Sequence, residues 1–424
     1  MISAVSKIKK TQLFLFLINP FLLLFTSIRN FNRKNFFFPF FLVSIFFSYQ
    51  FATQDISDAA EGEDAQRYKA YLHILHDYPV DFVSSILSAF SAEEGEADIY
   101  QFVVTYFVSI FTNDTKILFL FFGVIFSFFW LKNLEMILKN IGEEYFNKTL
   151  IVSLLIFLLF LINPIWQING ARFWTAAHVF SFIILKYFLE QNKRALFFLP
   201  FPILIHFSLI LFVFFFILYK FLPKNKLFFL IIYILSIFFV ELDISALNEL
   251  FKSAIPLKFE DRFESYTNVE YIDNIKLQNS ISSFHIKFHG IFQKYIMIFL
   301  TLFSFIKLYE EKIKSLDYRI VFFYFSVMLS SISNILAATY NFNRFLFASD
   351  FILLASILVL NLEVIPKAIF IRLPLKLMIL FVIFVKIRFS LLHTSIWFYI
   401  GNPIVVSFID NPVSFFEDLK SFFN

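Results

Sequence analysis

The sequence contains no cysteine, which excludes disulfide bonds and any chemistry that needs a thiolate. Glycine is also scarce, with 7 among 424 residues, and no P-loop, GxGxxG, GxSxG or HExxH pattern is present. Charged residues make up 16% of the chain, against about 25% in a typical soluble domain. The net charge of +4 is too small to indicate a nucleic-acid partner.

Apolar side chains dominate instead. The chain is 59% hydrophobic and holds 70 phenylalanines, and its longest apolar runs include 116–131 and 319–338. Bilayer hydrocarbon is about 30 Å thick and an α-helix rises about 1.5 Å per residue, so runs of this length can cross a membrane. The sequence therefore predicts an all-α polytopic membrane protein.

The distribution of charge predicts the topology. Segment 29–35 is short and basic, which places it in the cytoplasm by the positive-inside rule. Segment 52–98 has eleven Asp or Glu and two basic residues, so we place it outside. The chain is predicted to be a single integral membrane domain, residues 1–424, with about eleven transmembrane helices. Two long outer loops, 52–115 and 242–289, lie above this bundle.

The run 196–219 does not fit a single crossing. Basic loops flank it on both sides, and Pro200, Pro202 and His206 interrupt it. Broken helices are tolerated at membrane depth where protein or a watery cavity surrounds them. We therefore expect a broken or re-entrant hairpin in this run.

Polar side chains collect at the predicted outer face. Arg172 and Arg344 begin helices there, and an arginine fork at a helix start suits an anion such as a diphosphate. The alternative is that each arginine snorkels to the lipid headgroups. His178, on an apolar helix, is more typical of a packed neutral histidine than of a catalyst. The histidines and carboxylates match no metal-ligand spacing, so neither a metal nor another cofactor is predicted.

An ordered set of short motifs resembles a known family. The set comprises GEDAQRYKAYL (62–72), ADIYQFVVTYFVSIF (97–111), NGARFWTAAHVF (169–180), FPILIHFSLILF (201–212) and YNFNRFLF (340–347). It resembles the EpsG-type polysaccharide polymerases, which share their role with the Wzy O-antigen polymerases. The family's Asp-x-x-x-Tyr pattern falls on Asp64 and Tyr68, and its Asn-Gly-x-Arg-Gln pattern falls on 169–173, with Phe173 in place of Gln. His206 and Arg344 occupy the remaining matches.

The resemblance implies a multi-pass enzyme of the bacterial inner (cytoplasmic) membrane. It implies a metal-independent glycosyltransferase that joins undecaprenyl-diphosphate-linked oligosaccharide units into O-antigen, capsule or exopolysaccharide at the outer face. A flippase and a chain-length regulator are the expected partners. The motif matches put Asp64, Tyr68, Asn169, Arg172, His206 and Arg344 at the expected site, and the polar set at the outer face adds Arg67 and Gln167. Our hypothesis is that Asp64 is the base and His206 a catalytic partner, and that the other six residues bind substrate.

Other functions fit the same layout. A GT-C-type glycosyltransferase, which adds one sugar from a polyprenyl-phosphate donor, also places acidic residues in its first outer loop. A transporter of a lipid-linked glycan would have charges deep in several helices and two related halves. The sequence shows few deep charges and no repeated halves, which disfavours a transporter. A membrane sugar acetyltransferase is a further alternative.

Overall fold

The computed structural model describes ten stretches of the chain, namely residues 2–33, 35–51, 64–89, 98–146, 149–239, 284–311, 317–337, 343–362, 368–409 and 413–423. In these stretches the regular secondary structure is helical, apart from one isolated bridge between Phe51 and Thr394. The predicted all-α class is confirmed. Most of the second predicted outer loop, 242–283, lies outside the described residues.

The chain divides into two compact units. Unit 1 comprises 1–140, 164–210 and 386–424, and unit 2 comprises 141–163 and 211–385. The α-helices, in chain order, are α1 (Ile2–Ile18), α2 (Pro20–Arg29), α3 (Phe37–Tyr49), α4 (Asp64–Asp77), α5 (Phe82–Ala89), α6 (Ile99–Ser109), α7 (Thr115–Asn140), α8 (Glu143–Phe146), α9 (Leu150–Ile162), α10 (Ala171–Leu189), α11 (Phe201–Ile205), α12 (Ile210–Phe221), α13 (Lys226–Phe239), α14 (Phe284–Glu310), α15 (Tyr318–Leu336), α16 (Asn343–Leu360), α17 (Ile369–Ser390), α18 (Trp397–Ile400), α19 (Pro403–Val406) and α20 (Phe415–Phe423).

Five helical stretches are long and apolar enough to cross a membrane. They are Thr115–Asn140, Leu150–Leu189, Lys287–Glu310, Tyr318–Leu336 and Asn343–Leu360. The transmembrane character predicted from composition is confirmed by these stretches. The total of about eleven crossings stays a prediction. Several of the predicted crossings fall on shorter apolar helices, such as α3 and α13, which are not among these five stretches.

Helix α7 is longer than the apolar run that predicted it. The apolar run ends at residue 131, but the helix continues to Asn140. Lys132 and Lys139 form ion pairs with Glu135 at 2.8 and 3.0 Å, three and four residues apart. Such pairs stabilise a helix in water, so α7 extends beyond its apolar segment.

The centre of unit 1 is the packing of α7 against α3 and α10. Gly123 of α7 faces Ser48 of α3, and a Cβ on Gly123 would clash with both Oγ and Cβ of Ser48. The Ser48 hydroxyl donates a hydrogen bond to the Ser44 carbonyl at 2.8 Å, which fixes its rotamer. The closeness of α3 and α7 therefore depends on glycine at position 123.

We expect Gly123→Ala to lower the free energy of unfolding of unit 1 by about 1–3 kcal/mol, because extra volume strains a packed interface. Thermal unfolding of the full chain in detergent measures this loss. Gly290→Ala is the matched control, since a Cβ at Gly290 meets nothing within 4 Å. Adding Ser48→Gly to Gly123→Ala should recover stability, and an unchanged melting temperature in Gly123→Ala alone contradicts the prediction.

The run 196–219 is interrupted, as the prolines predicted. A 3₁₀ turn (Lys193–Phe198), the short α11 and a second 3₁₀ turn (Phe207–Leu209) precede α12. The break falls at His206, whose backbone is extended at φ −150° and ψ 113°. The re-entrant path that was predicted for this run stays a prediction.

Unit 2 has its own helical core. Helices α15 and α16 pack together along their lengths, and α13 packs on α15 while α9 and α14 pack on α16. From Ala348 to Leu360, α16 is buried at every position. A helix that is buried on all sides is typical of the centre of a large protein or a membrane bundle.

Candidate functional site

Helix α4 lies within the first predicted outer loop and positions three of the predicted site residues. Its buried residues are Ala65, Tyr68, Leu72 and Leu75, which recur at helical spacing on one face. Asp64 is in the first turn, where the partial positive charge of a helix start favours a carboxylate. The first predicted outer loop is therefore helical over Asp64–Asp77, with one face of this helix buried.

The second part of the site is the turn that precedes α10. A 3₁₀ turn covers Ile165–Gly170, and α10 begins at Ala171, so Arg172 is the second residue of the helix. Gly170 leaves room for its neighbours, because a Cβ there would lie 3.3 Å from the Trp174 indole and 3.7 Å from Asp64 Oδ2. The Asn-Gly-Ala-Arg turn and helix start thus place the Arg172 guanidinium beside the Asp64 carboxylate of α4.

Arg172 lies between two carboxylates. Its Nη2 is 3.7 Å from Asp64 Oδ1, and its Nη1 is 3.4 Å from Asp98 Oδ2. The Tyr68 ring completes the surroundings, with its centroid 5.9 Å from the guanidinium carbon. The Arg172 side chain is only 18% exposed, and these protein partners are not those of an arginine that snorkels into lipid headgroups.

The two ion pairs of Arg172 are loose. Charge-assisted hydrogen bonds between nitrogen and oxygen are usually about 2.7–2.9 Å long, shorter than either contact here. Arg172 Nε is buried and has no hydrogen-bond partner in the part of the chain that the structure describes. The guanidinium is therefore positioned by charge while part of its donor capacity remains open.

Asp98 is a site residue that the sequence analysis quoted in a motif but did not single out. Its side chain is 8% exposed, and its Oδ1 accepts the Phe207 backbone N–H at 2.7 Å. Its other oxygen faces Arg172, so Asp98 connects α10 to the break before α12. The available signal was an acidic residue directly before the apolar helix α6, but this position is also that of an ordinary helix cap.

His206 lies at this break and belongs to the same unit. Its Nδ1 accepts the Ser208 backbone N–H at 3.3 Å and lies 2.8 Å from the Ser208 hydroxyl. Its ring packs edge-on against Phe173 with centroids 5.4 Å apart. Because Nδ1 is an acceptor, the neutral ring carries its proton on Nε2.

Tyr68 is fully buried beneath the charged groups. Burial, reinforced by the charge of Asp64, raises the pKa of the Tyr68 phenol above its usual range. The phenol is therefore neutral at physiological pH and can donate a hydrogen bond but does not act as a base.

The other predicted residues of unit 1 surround this centre. Arg67 is 62% exposed and pairs with Asp64 Oδ1 at 3.2 Å. Gln167 and Asn169 are half-buried in the turn before Arg172. The Asn169 Oδ1 atom is itself buried and has no hydrogen-bond donor among the described residues. An acceptor and a donor, Asn169 Oδ1 and Arg172 Nε, are thus left for a ligand or water.

Two predicted residues have other surroundings. Arg344 is the second residue of α16 and belongs to unit 2, so its proposed cooperation with Arg172 stays a prediction. His178 is 1% exposed and packs against Phe126, and its carbonyl accepts a hydrogen bond from Asn133 at 2.9 Å. This packing agrees with the interpretation of His178 as a structural histidine.

Unit 2 contains a buried carboxylate that the sequence analysis also missed. Asp350 of α16 is 3% exposed and accepts a hydrogen bond from Gln293 Nε2 of α14 at 2.7 Å. Both helices are among the five stretches that can cross a membrane. Asp350 is thus one of the few charges expected deep in the helices, and an ionisable group within a membrane helix is costly and marks a functional position by default.

The cluster of Asp64, Arg67, Tyr68, Asp98 and Arg172, here termed the Arg172 cluster, holds two carboxylates and two guanidinium groups. Their formal charges cancel, so the cluster needs no bound ion for neutrality. Within the described stretches no group of three or more metal-ligating side chains is found. The chemistry available is proton transfer to a carboxylate and the binding of an anion by a guanidinium.

Comparison with known proteins gives no match to this chain among protein-family models, curated proteins or solved structures. The resemblance to the EpsG-type polymerases therefore rests on the motifs quoted above.

Proposed function

We propose that this protein is a polysaccharide polymerase that joins oligosaccharide units carried on undecaprenyl diphosphate. The observation that carries the proposal is the Arg172 cluster, in which a mostly buried guanidinium at a helix start lies beside a more accessible carboxylate. Asp64 is 28% exposed and Asp98 is 8% exposed. An anion site next to a base is what glycosyl transfer from a lipid diphosphate requires.

In the proposed step, a hydroxyl of the acceptor unit attacks the anomeric carbon of the donor chain. The bond between that carbon and the diphosphate oxygen breaks, and the diphosphate leaves with the bonding electron pair. Asp64 accepts the proton of the attacking hydroxyl. Because a diphosphate is already a good leaving group, no acid is needed to protonate it.

Proton transfer to Asp64 also changes the electrostatics of Arg172. In the resting cluster two carboxylates offset the guanidinium charge, at 3.4 and 3.7 Å. Protonation of Asp64 removes one of them in the step in which negative charge develops on the departing diphosphate. Arg172 then interacts more strongly with the leaving group than with the bound substrate, which lowers the barrier.

The remaining predicted residues have supporting roles in this proposal. Asn169 and Gln167 bind sugar or phosphate groups beside Arg172, and Arg67 attracts the anionic lipid carrier at the exposed edge. Arg344 belongs to unit 2 and stays a predicted substrate-binding residue. His206 orients a hydroxyl or a phosphate oxygen through Nε2. The site acts at the outer face of the inner membrane, with a flippase that supplies units and a regulator that sets chain length.

A transporter of lipid-linked glycan is a second candidate, and Asp350 is the observation that favours it. A buried carboxylate in a membrane helix is typical of substrate or proton pathways. The Arg172 cluster favours the polymerase, because a loosely paired arginine beside an accessible carboxylate serves bond transfer directly.

The deciding experiment uses the purified full chain in proteoliposomes with undecaprenyl-diphosphate-linked repeat units extracted from the host bacterium. We expect a ladder of products that differ by one repeat unit, together with released undecaprenyl diphosphate. A single added sugar that requires a polyprenyl-phosphate donor would assign the GT-C-type reaction instead. Movement of the lipid-linked unit across the bilayer without any new glycosidic bond would assign transport.

A further inference from the structure

Unit 2 contains a cavity of about 260 Å³ between its membrane helices. Its polar lining includes Tyr233, Gln293, Lys294, Ser330, Asn334 and Asp350. Four of these, Tyr233, Gln293, Ser330 and Asp350, are at most 3% exposed. Hydrocarbon in such a space would leave buried polar groups without partners, which is costly. The rest of the lining includes the apolar side chains of Ile291, Met297, Ile298 and Leu346. The cavity is therefore suited to an occupant that has both polar groups and an apolar face.

The hydrogen bonding inside the cavity is incomplete. Gln293 uses its amide nitrogen to bond Asp350 Oδ2 at 2.7 Å. Its carbonyl oxygen, Oε1, is buried and has no hydrogen-bond donor among the described residues. Native structures rarely leave such an atom unsatisfied, so this oxygen indicates a ligand or water that donates a hydrogen bond.

The charges of the lining select the class of ligand. The Asp350 carboxylate disfavours an anion, and the Lys294 ammonium on the same cavity disfavours a cation. The other polar groups are hydroxyls and amides, which both donate and accept hydrogen bonds. A neutral polyol matches this combination, and Tyr233 and Phe347 add aromatic surface for the apolar face of a sugar ring.

The position of the cavity agrees with a ligand that arrives from outside. Gly290 and Gln293 belong to the first half of α14, Asn334 to the last turn of α15, and Asn343 and Asp350 to the first half of α16. These ends meet the loops that the sequence places at the outer face. The volume is below the range of about 300–1,000 Å³ for drug-sized ligands, which fits one sugar ring rather than an oligosaccharide.

We propose that the Asp350 cavity of unit 2 binds a single neutral sugar residue of a glycan, with Asp350 and Gln293 as the selecting groups. Asp350 accepts hydrogen bonds from adjacent ring hydroxyls, and Gln293 Oε1 accepts another. The assignment does not require polymerisation, because a transferase or a transporter of the same glycan also needs to recognise sugar.

Saturation-transfer difference NMR on the full chain tests this site. The protein is placed in lipid nanodiscs, since detergents with sugar headgroups would compete, and probed with glucose, galactose, mannose and N-acetylglucosamine. We expect at least one of these sugars to receive saturation from the wild-type protein. Asp350→Asn should weaken its binding about tenfold, because a hydrogen bond to a charged group is lost.

A second variant distinguishes loss of sugar binding from loss of folding. A Cβ at Gly290 meets nothing within 4 Å and the residue lines the cavity, so Gly290→Leu should fill the space without disturbing the helix. Loss of the sugar signal in this variant supports the assignment. The matched control is Ser356→Ala, equally buried on α16 and bonded to the Leu353 carbonyl at 2.8 Å, which should bind sugar as the wild type does.

Three outcomes overturn the site. They are no saturation transfer to any of the sugars, a sugar signal that survives both Asp350→Asn and Gly290→Leu, and ²³Na line broadening that depends on Asp350 in the absence of a sugar signal. The last would identify a cation site. The readout here is sugar binding and not polymer. A negative result therefore does not contradict the proposed role of the Arg172 cluster, and a missing polymer ladder does not contradict the sugar site in the cavity.

Discussion

Asp64→Asn should reduce polymer formation by about 10²- to 10⁴-fold, the usual contribution of a positioned proton acceptor. The substitution keeps the shape of the side chain and removes its ability to take up a proton. Polymer length and amount are measured in a deletion strain that carries the variant, with the protein level quantified in the same membranes. Host cells should retain the single capped unit and lose the ladder.

The matched control is Asp77→Asn, an exposed carboxylate at the other end of α4, which should leave the ladder unchanged. Asp98→Asn identifies which carboxylate is the base. Both oxygens of Asp98 are engaged, one by the Phe207 N–H and one by Arg172. A full ladder in Asp64→Asn combined with its loss in Asp98→Asn would transfer the role of base to Asp98 and contradict our assignment.

The fold class followed directly from the sequence because long runs of apolar residues are typical of membrane-spanning helices. Helix ends were harder to predict. The apolar run that predicted α7 ends near residue 131, but the ion pairs of Glu135 with Lys132 and Lys139 carry the helix on to Asn140. The prolines before His206 marked a real break because they remove backbone donors and clash with the preceding turn.

The site was partly accessible from sequence for a similar reason. Asp64, Tyr68 and Arg172 belong to short motifs with turn-forming or charged residues at helix starts, and the structure brings these three together. Asp98 could not be predicted as their partner, because its role arises from the tertiary contact with the Phe207 N–H. Asp350 was hidden in a run that otherwise reads as an ordinary span, although one carboxylate in such a run is itself a signal.

Arg172→Ala should have the largest effect on stability. It leaves the Asp98 carboxylate, 8% exposed, without its cation, and breaking a buried pair in this way typically costs about 3–5 kcal/mol. Thermal unfolding in nanodiscs measures the loss. Arg67→Ala is the matched control for stability, because the exposed Arg67–Asp64 pair contributes at most about 1 kcal/mol. Equal melting temperatures for Arg172→Ala and the wild type would contradict the buried pair.

The same variant separates a structural role for Arg172 from a role in the reaction. Combining Arg172→Ala with Asp98→Asn removes the uncompensated charge, while the side-chain amide oxygen introduced at position 98 can still accept the Phe207 N–H. The double variant should therefore be more stable than the sum of the two single effects predicts, which a double-mutant cycle measures as a coupling energy. We expect the ladder to remain absent, since no guanidinium is left to hold the diphosphate. A restored ladder would make Arg172 purely structural. Arg172→Lys keeps the charge and loses the fork, so it should fold and give a short ladder.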